Sequence, residues 1–370
     1  MGVVKLGDVA RESRLKWTKS KQDVPIVGLE HLIPDEIRFD AYDINTDNTF
    51  SKRFVKGQVL FGRRRAYQRK AAIAEFDGIC SGDITVIQAI ERKMVPELLP
   101  FIIQTPVFFD YANRGSAGSL SPRVKWEHLA DYEFELPPLE EQKILADKLW
   151  AAYRLKEAYK KLLVATDEMV KSQFIEMFGN CKSQGTLSSL CATFIDGDWI
   201  ESKDQSDNGI RLIQTGNVGF GFFKGREDKS RYITEETFKK LNCTEVVPGD
   251  ILISRLPDPI GRACIVPEGI GKAITAVDCT IVRLNATLLP EFLISFSKTA
   301  LYASQINKIK TGTTRLRVSR GNLGNVIIPI PPIESQHHFA AIAQQADKSK
   351  FELRKSIEAI DQVIKSLINN

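Results

Sequence analysis

The chain repeats itself at a nearly constant interval, so any fold it adopts must be built from two copies of one unit. Leu136-Pro-Pro-Leu-Glu-Glu-Gln142 returns as Ile330-Pro-Pro-Ile-Glu-Ser-Gln336, 194 positions on. The same interval carries Gly118 to Gly312, Arg123-Val124 to Arg317-Val318 and Leu129 to Leu323. Far downstream it carries Asp167 to Asp361 and Lys171-Ser172 to Lys365-Ser366. Upstream the interval drifts, to 192 between Gly57-Gln-Val-Leu60 and Gly249-Asp-Ile-Leu252 and to 195 between Asp83-Ile-Thr-Val86 and Asp278-Cys-Thr-Ile281. Loop insertions produce drift of that size. At 370 residues the chain is also longer than one hydrophobic core usually organises.

Each copy is a globular part followed by a tail. In the first globular part, residues 58–62, 71–76, 84–89 and 132–136 read as strands and 96–113 as a helix. The second shows the same order around 251–254, 263–267 and 279–284, with a helix expected over 290–308. After each Pro-Pro the pattern turns to Ala, Leu, Lys and Glu with helical spacing, and residues 139–178 hold neither Gly nor Pro. About 40 residues at 1.5 Å each make a helix of roughly 60 Å, long for a globular protein without a partner.

The inner positions of the first tail step by four and three: Leu145, Leu149, Ala152, Lys156, Tyr159, Leu163, Thr166, Val170. Those of the second are Phe339, Ala343, Ala346, Lys350, Leu353, Ile357, Ile360, Ile364. Both are heptad seams, and two such helices in one chain pack most simply on each other. The fold expected is α/β (α+β): two globular domains in tandem pseudo-repeat, separated by two long antiparallel coiled-coil helices, with the domains at opposite ends. The boundaries read as 1–135, 136–180, 181–329 and 330–370. Lys156 and Lys350 fall on the seams at matching steps, where each either snorkels outward or acts as a polar register device.

The net charge of +5 is mildly basic, so clustering carries more weight than the total. Between two strands of the first domain stand Arg63, Arg64, Arg65, Tyr67, Arg69 and Lys70. Arginine forks suit phosphates and the O6/N7 edge of guanine, and an aromatic among them can stack; the plainer reading is a solvated basic hairpin. The equivalent loop of the second domain holds Arg255, Asp258 and Arg262, where an aspartate could accept from a cytosine amino group. A second pair of loops precedes the tails, with Arg114 and Arg123 in one and Lys310, Thr313, Arg315 and Arg317 in the other. Small residues with flanking cations let backbone N–H groups approach phosphates, or else form tight turns with surface arginines.

Catalytic and metal motifs do not emerge. Gly269-Ile-Gly-Lys272 lacks the upstream glycine and following Ser/Thr of a phosphate-binding loop. Phe220-Gly-Phe222 has no nucleotide fingerprint around it, and no Asn/Asp-Pro-Pro-aromatic tetrapeptide occurs. Pro257-Asp258 lacks the downstream Glu-x-Lys of a nuclease, and His337-His338 reads as a helix start. The six cysteines form no CxxC and read as small buried apolar residues. The first residues have no apolar signal core, and no stretch is long enough to span a membrane, so a cytoplasmic location is expected.

The order of domain, Leu-Pro-Pro-Leu-Glu-Glu-Gln, long helix ending Val170-Lys-Ser-Gln-Phe-Ile-Glu-Met-Phe-Gly179, domain, Ile-Pro-Pro-Ile-Glu-Ser-Gln and second long helix resembles the specificity subunit of type I restriction–modification systems over essentially the whole chain. Gly249-Asp-Ile-Leu-Ile-Ser-Arg255 and Gln214-Thr-Gly-Asn217 resemble its target recognition domains. The resemblance implies a non-catalytic subunit in which each target recognition domain reads one half of an asymmetric, bipartite site in double-stranded DNA and the helices fix the spacer. It implies two modification subunits that bind S-adenosylmethionine and methylate adenine, and restriction subunits that use ATP and Mg, with no cofactor or metal in this chain. One departure is that the second tail stops at Asn370 without a counterpart to Phe174-Ile-Glu-Met-Phe-Gly179. A specificity subunit of a type IIB-like modification system and a coiled-coil protein-interaction scaffold are the alternatives.

Overall fold

The structure is a computed structural model that describes residues 2–369; the outermost residues of the first and last segments, Met1 and Asn370, lie outside it. It divides into two units. One takes the described residues up to Lys160 together with those from Lys355 onward, and the other is Lys161–Arg354.

Each unit holds three small sheets in the same arrangement. A two-stranded ribbon pairs Gly2–Lys5 with Glu133–Leu136 in the first unit and Gln184–Thr186 with Ile327–Pro329 in the second. A four-stranded antiparallel sheet runs Ala10–Glu12, Ile84–Ala89, Val59–Gly62, Ala71–Ile73; its counterpart runs Cys191–Asp196, Cys279–Leu284, Ile251–Ser254, Ala263–Ile265. A third sheet is built on a parallel pair, Ile26–Val27 with Gly78–Cys80 and Ile210–Ile213 with Ala273–Thr275. The flanking partners differ only in length. A full strand in one unit shrinks to a single bridge in the other, Ile26 to Asp43 or Val246 to Ala273.

The turn entering the central strand explains one repeated motif. Gly57 and Gly249 both take positive φ, 87° and 89°, which glycine adopts without a Cβ penalty. The next side chain then folds back: Gln58 Oε1 accepts from Val55 N at 2.9 Å, and Asp250 Oδ2 accepts from Val247 N at 3.0 Å.

Four local expectations need correction. The helix expected over 96–113 is broken into a 3-10 turn Pro96–Leu98 and helices Leu99–Ile103 and Pro106–Arg114. Thr105 caps the second helix by accepting from Phe108 N at 3.2 Å, and Pro106 follows it. The segment over 290–308 breaks the same way, into Pro290–Phe296 and Ala300–Ile309, with Thr299 capping at 3.2 Å. Strand 71–76 closes after Ile73. Of the six cysteines, Cys80, Cys243, Cys264 and Cys279 are buried, but Cys181 and Cys191 are only half-buried.

The Pro-Pro-x-Glu-x-Gln junction has a concrete role. Gln142 is 1% exposed; its Oε1 accepts from Val95 N at 2.9 Å and its Nε2 donates to Pro137 O at 2.8 Å. Gln336, 0% exposed, does the same, accepting from Leu289 N and donating to Pro331 O, both at 2.8 Å. Each glutamine thus clamps the start of a long helix to the domain that precedes it.

The long helices are Leu139–Phe178 and Ile333–Asn369. In the first unit, Leu145 and Leu149 near the start of one lie in the same core as Ile364, Leu367 and Ile368 near the end of the other. In the second unit, Phe174 and Phe178 at the end of the first meet Phe339 and Ala343 at the start of the second. Start meets end in both, which is antiparallel pairing. The seam lysines neither snorkel freely nor stay unpartnered. Lys156 Nζ lies 2.6 Å from Asp361 Oδ1, and Lys350 Nζ lies 2.7 Å from Asp167 Oδ1. The 194-residue interval maps each of these ion pairs onto the other, so the same pair recurs once in each unit. No helix among the described residues is long and apolar enough to cross a membrane.

Candidate DNA interface

The two pre-helix loops are the same structure. In the first unit Ala117 and Arg123 exchange backbone hydrogen bonds of 3.0 and 2.9 Å; in the second Thr311 and Arg317 do so at 2.8 and 2.9 Å. Gly118 and Gly312, one residue inside, both take positive φ. The next residue ties each loop to the neighbouring one: Val124 N donates to Arg63 O, and Val318 N to Arg255 O. Arg63 N and Arg255 N in turn donate to Asp83 O and Asp278 O. Arg63 and Arg255 are therefore matching positions, and both loop pairs are brought together within their own unit.

What the side chains do differs. In the first unit Asp83 gathers two of the arginines. Arg123 Nε donates to its Oδ1 at 2.7 Å, and Arg64 Nη1 donates to Oδ2 at 3.3 Å. The hydrogen bond from Arg123, reinforced by both charges, holds the Asp83 carboxyl below the usual range against a smaller opposing effect of burial. Arg64 also donates to Ser121 Oγ at 2.9 Å. Arg69 is paired with Asp35 at 2.6 Å, and Lys70 donates to Leu29 O at 2.7 Å. Arg63 and Arg65 are half-buried, with Nε atoms that have no partner among the described residues. Tyr67 is exposed, and Arg114, also exposed, reaches Asp110 O at 3.4 Å.

In the second unit the expected readers Arg255 and Arg262 turn inward. Arg255 donates to Val318 O and Val277 O at 3.1 and 2.6 Å and meets Asp196 at 3.2 Å. Arg262 donates to Val218 O, Thr215 O and Ser254 Oγ at 3.0 to 3.1 Å. Backbone carbonyls hold both guanidiniums against their own unit, so in this structure the two side chains brace the loops. Asp258 is exposed but pairs with Lys310. Thr313, Arg315 and Arg317 are exposed, and neither arginine side chain has a partner among the described residues.

One region escaped the loop argument. Residues 214–231 carry Lys224, Arg226, Lys229 and Arg231 in eight positions, a density of cations that was the available signal. They follow the turn Thr215–Asn217, where Asn217 Oδ1 accepts from Gln214 N at 3.0 Å. Beside them Phe220 and Phe222 are exposed, and Trp199 is 71% exposed. The matching turn in the first unit, Leu29–His31, has the same backbone, with His31 Nδ1 accepting from Gly28 N at 2.9 Å. It is acidic instead: Glu30, His31 and Asp43 each bring a ligand atom within 4.8 Å of one another. The other ring nitrogen, His31 Nε2, lies 3.6 Å from Asp43 Oδ1, so the turn carries negative charge where its counterpart carries cations.

Comparison with known proteins agrees with the repeat. The model of the type I restriction modification DNA specificity domain matches residues 1–163 and 185–362, one stretch in each half. Over 381 aligned positions the chain is 20% identical to the putative type I restriction enzyme MjaX specificity subunit of Methanocaldococcus jannaschii, covering 96% of this chain and 87% of that one. A shorter match, 32% identical over 89 residues, is to the type I restriction enzyme EcoDI specificity subunit of Escherichia coli, with 24% of this chain and 19% of that one covered. The fold resembles the type I restriction-modification system S subunit from M. genitalium, with TM-score 0.60, 10% identity, and 99% and 94% of the two chains covered. It also resembles a chain solved in work on complex assembly and conformational transition of the type I R-M system, with TM-score 0.61, 18% identity, and 100% and 96% covered. The family model spans both repeats, and the chain belongs to the type I restriction–modification DNA specificity family.

Proposed function

We propose that this chain is the addressing subunit of a type I restriction–modification system, with each unit contacting one half of a split, asymmetric DNA target and the helix pair fixing the spacer. The observation that carries the reading is the repeated loop pair. One backbone closure, at Ala117–Arg123 and again at Thr311–Arg317, presents different side chains in the two halves. A scaffold frame used twice with different exposed residues suits two readers of two sequences. The chain is the non-catalytic member. Methylation would come from two modification subunits carrying S-adenosylmethionine, and translocation and cleavage from restriction subunits using ATP and Mg.

The test is to co-express the chain with its modification partner and map methylated adenines across a plasmid by long-read sequencing. One split motif with a fixed spacer is expected. Methylation at a continuous site would overturn the reading, and none from a verified complex without salt-sensitive DNA binding would overturn it in favour of a scaffold role; the subunits that co-purify separate it from a type IIB-like system.

A further inference from the structure

Beside the turn Thr215–Asn217, Gln214, Asn217, Arg226, Lys229, Ser230 and Arg231 line a concavity of about 420 Å³. The turn leaves Gly216 bare, and a Cβ there would come 2.1 Å from Arg226 Nη1, so the guanidinium lies against the open face of that glycine. Arg226 itself holds a left-handed backbone, φ 51°, which an arginine adopts only at a cost. Neither Arg226 nor Lys229 has a side-chain partner among the described residues, and the Gln214 amide is likewise uncommitted. The Glu227 carboxylate is spent elsewhere. Glu227 Oε1 pairs with Arg211 at 3.0 Å, and its Oε2 accepts from Ser230 Oγ at 3.3 Å. Arg231 is shared with Gln205, 3.3 Å away. Asn217 is closed to a ligand, because its amide nitrogen donates to Lys224 O and Gly225 O at 2.8 and 3.0 Å.

From this geometry we infer that the concavity seats a backbone phosphate of the DNA bound by the second unit, held by Arg226 and Lys229 with Gln214 as neutral donor. Two cations and an amide around a bare glycine can surround a tetrahedral oxyanion. The lining offers no aromatic platform for a base. The matching position of the first unit argues the same way by contrast. There Glu30 lies where Gly216 stands, its carboxylate folded over Gly28, and a phosphate would be repelled. The seat therefore belongs to one half of the molecule only, and it rests on the DNA-binding reading above.

The test uses the full chain in complex with its modification partner and a duplex carrying the mapped target, with affinity measured across a salt series. Each phosphate contact contributes a slope of about −0.9 in log K against log salt. Arg226→Ala is expected to flatten the slope by about one and to weaken binding roughly tenfold at low salt. Arg226→Lys should retain most of the slope, and the methylated motif should be unchanged in both variants. A wild-type slope in Arg226→Ala, in a complex that still binds, overturns the phosphate seat alone. A changed motif overturns it in favour of base contact. A wild-type complex without salt-sensitive binding overturns the seat and the DNA-addressing reading together.

Discussion

The two units share a frame and differ in how they spend charge. In the first, the arginines that flank the loop closure are neutralised at home: Arg123 and Arg64 converge on Asp83, and Arg69 on Asp35. In the second, Arg315 and Arg317 have no side-chain partner among the described residues at the matching loop, while Arg255 and Arg262 donate to backbone carbonyls. Even a buried frame position has been rewritten. Gln58 meets Gln88 at 3.3 Å in one unit, and at the matching sites Asp250 and Arg283 form a two-point ion pair of 2.7 and 2.9 Å in the other. Backbone geometry is what the repeat preserves. A motif of glycine, proline and glutamine marks the frame, and the position of an arginine says little about whether it faces solvent.

That contrast can be broken or sharpened by paired substitutions. The largest difference is expected where the helix ends dock. Phe174 is 4% exposed among Phe178, Phe292 and Phe339, so Phe174→Ala should destabilise the second unit by about 3–5 kcal/mol. The residue 194 positions on, Ile368, does not continue that aromatic motif and is only half-buried, and Ile368→Ala should cost the first unit about 1–2 kcal/mol; thermal unfolding followed by hydrogen exchange separates the two. Equal losses would mean that the helix ends dock alike.

Where the frame is shared, the effects should match. Gln142→Ala and Gln336→Ala each strand a buried backbone N–H and a carbonyl, and each should cost about 2–3 kcal/mol. A marked inequality between them would show that the junction glutamine does not play one role in both units.

At the loops the halves should part again. Arg317→Ala removes a free cation and should weaken DNA binding roughly tenfold, about 1.4 kcal/mol. Arg123→Ala removes a cation already neutralised by Asp83 and should weaken it less, as titrations on the same duplex would show. Smaller still are the seam ion pairs. Lys156→Met and Lys350→Met should each cost about 0.5–1 kcal/mol, because the partner aspartates are substantially exposed. Exchanging both members, Lys350→Asp with Asp167→Lys, should restore most of the loss in a double-mutant cycle.

The last prediction concerns pH. The Asp83 carboxyl sits below its unfolded value, so its contribution is complete above the ordinary carboxylate range and is lost as pH falls through the lowered folded value. Acid titration below about pH 4 should therefore loosen the Arg64 and Arg123 loops of the first unit, with amide exchange at Ala117 and Val124 as the readout. Asp83→Asn should abolish that dependence.

Much of the frame was legible in the sequence because it is made of residues with one dominant physical use. Pro-Pro followed by a buried glutamine, glycines at positive φ and a four-three apolar step each admit few conformations. The seam lysines were visible too, but their partners were not. Asp167 and Asp361 lie 11 positions on from each lysine along its own helix, and only antiparallel packing brings the opposite pair together. The break at Thr105 hid inside a helical pattern, since a capping threonine followed by proline can also be read as a helix interior. The interface was least legible. Arg255 and Arg262 look like readers by residue type, and their inward turn depends on carbonyls of strands and turns far along the chain. The concavity around Gly216 depends on Arg226, ten residues later, and on a glutamate diverted to Arg211.

The central claim is that one frame carries two independent readers, and a loop exchange tests it most directly. Residues 311–317 can be replaced by the sequence of residues 117–123, which has the same length and the same backbone closure. Adenine methylation is then mapped with the modification partner present. The account predicts that one half of the split motif changes or becomes degenerate, while the other half and the spacer stay as they were. A change in both halves or in the spacer, or a motif untouched in every position, would contradict it.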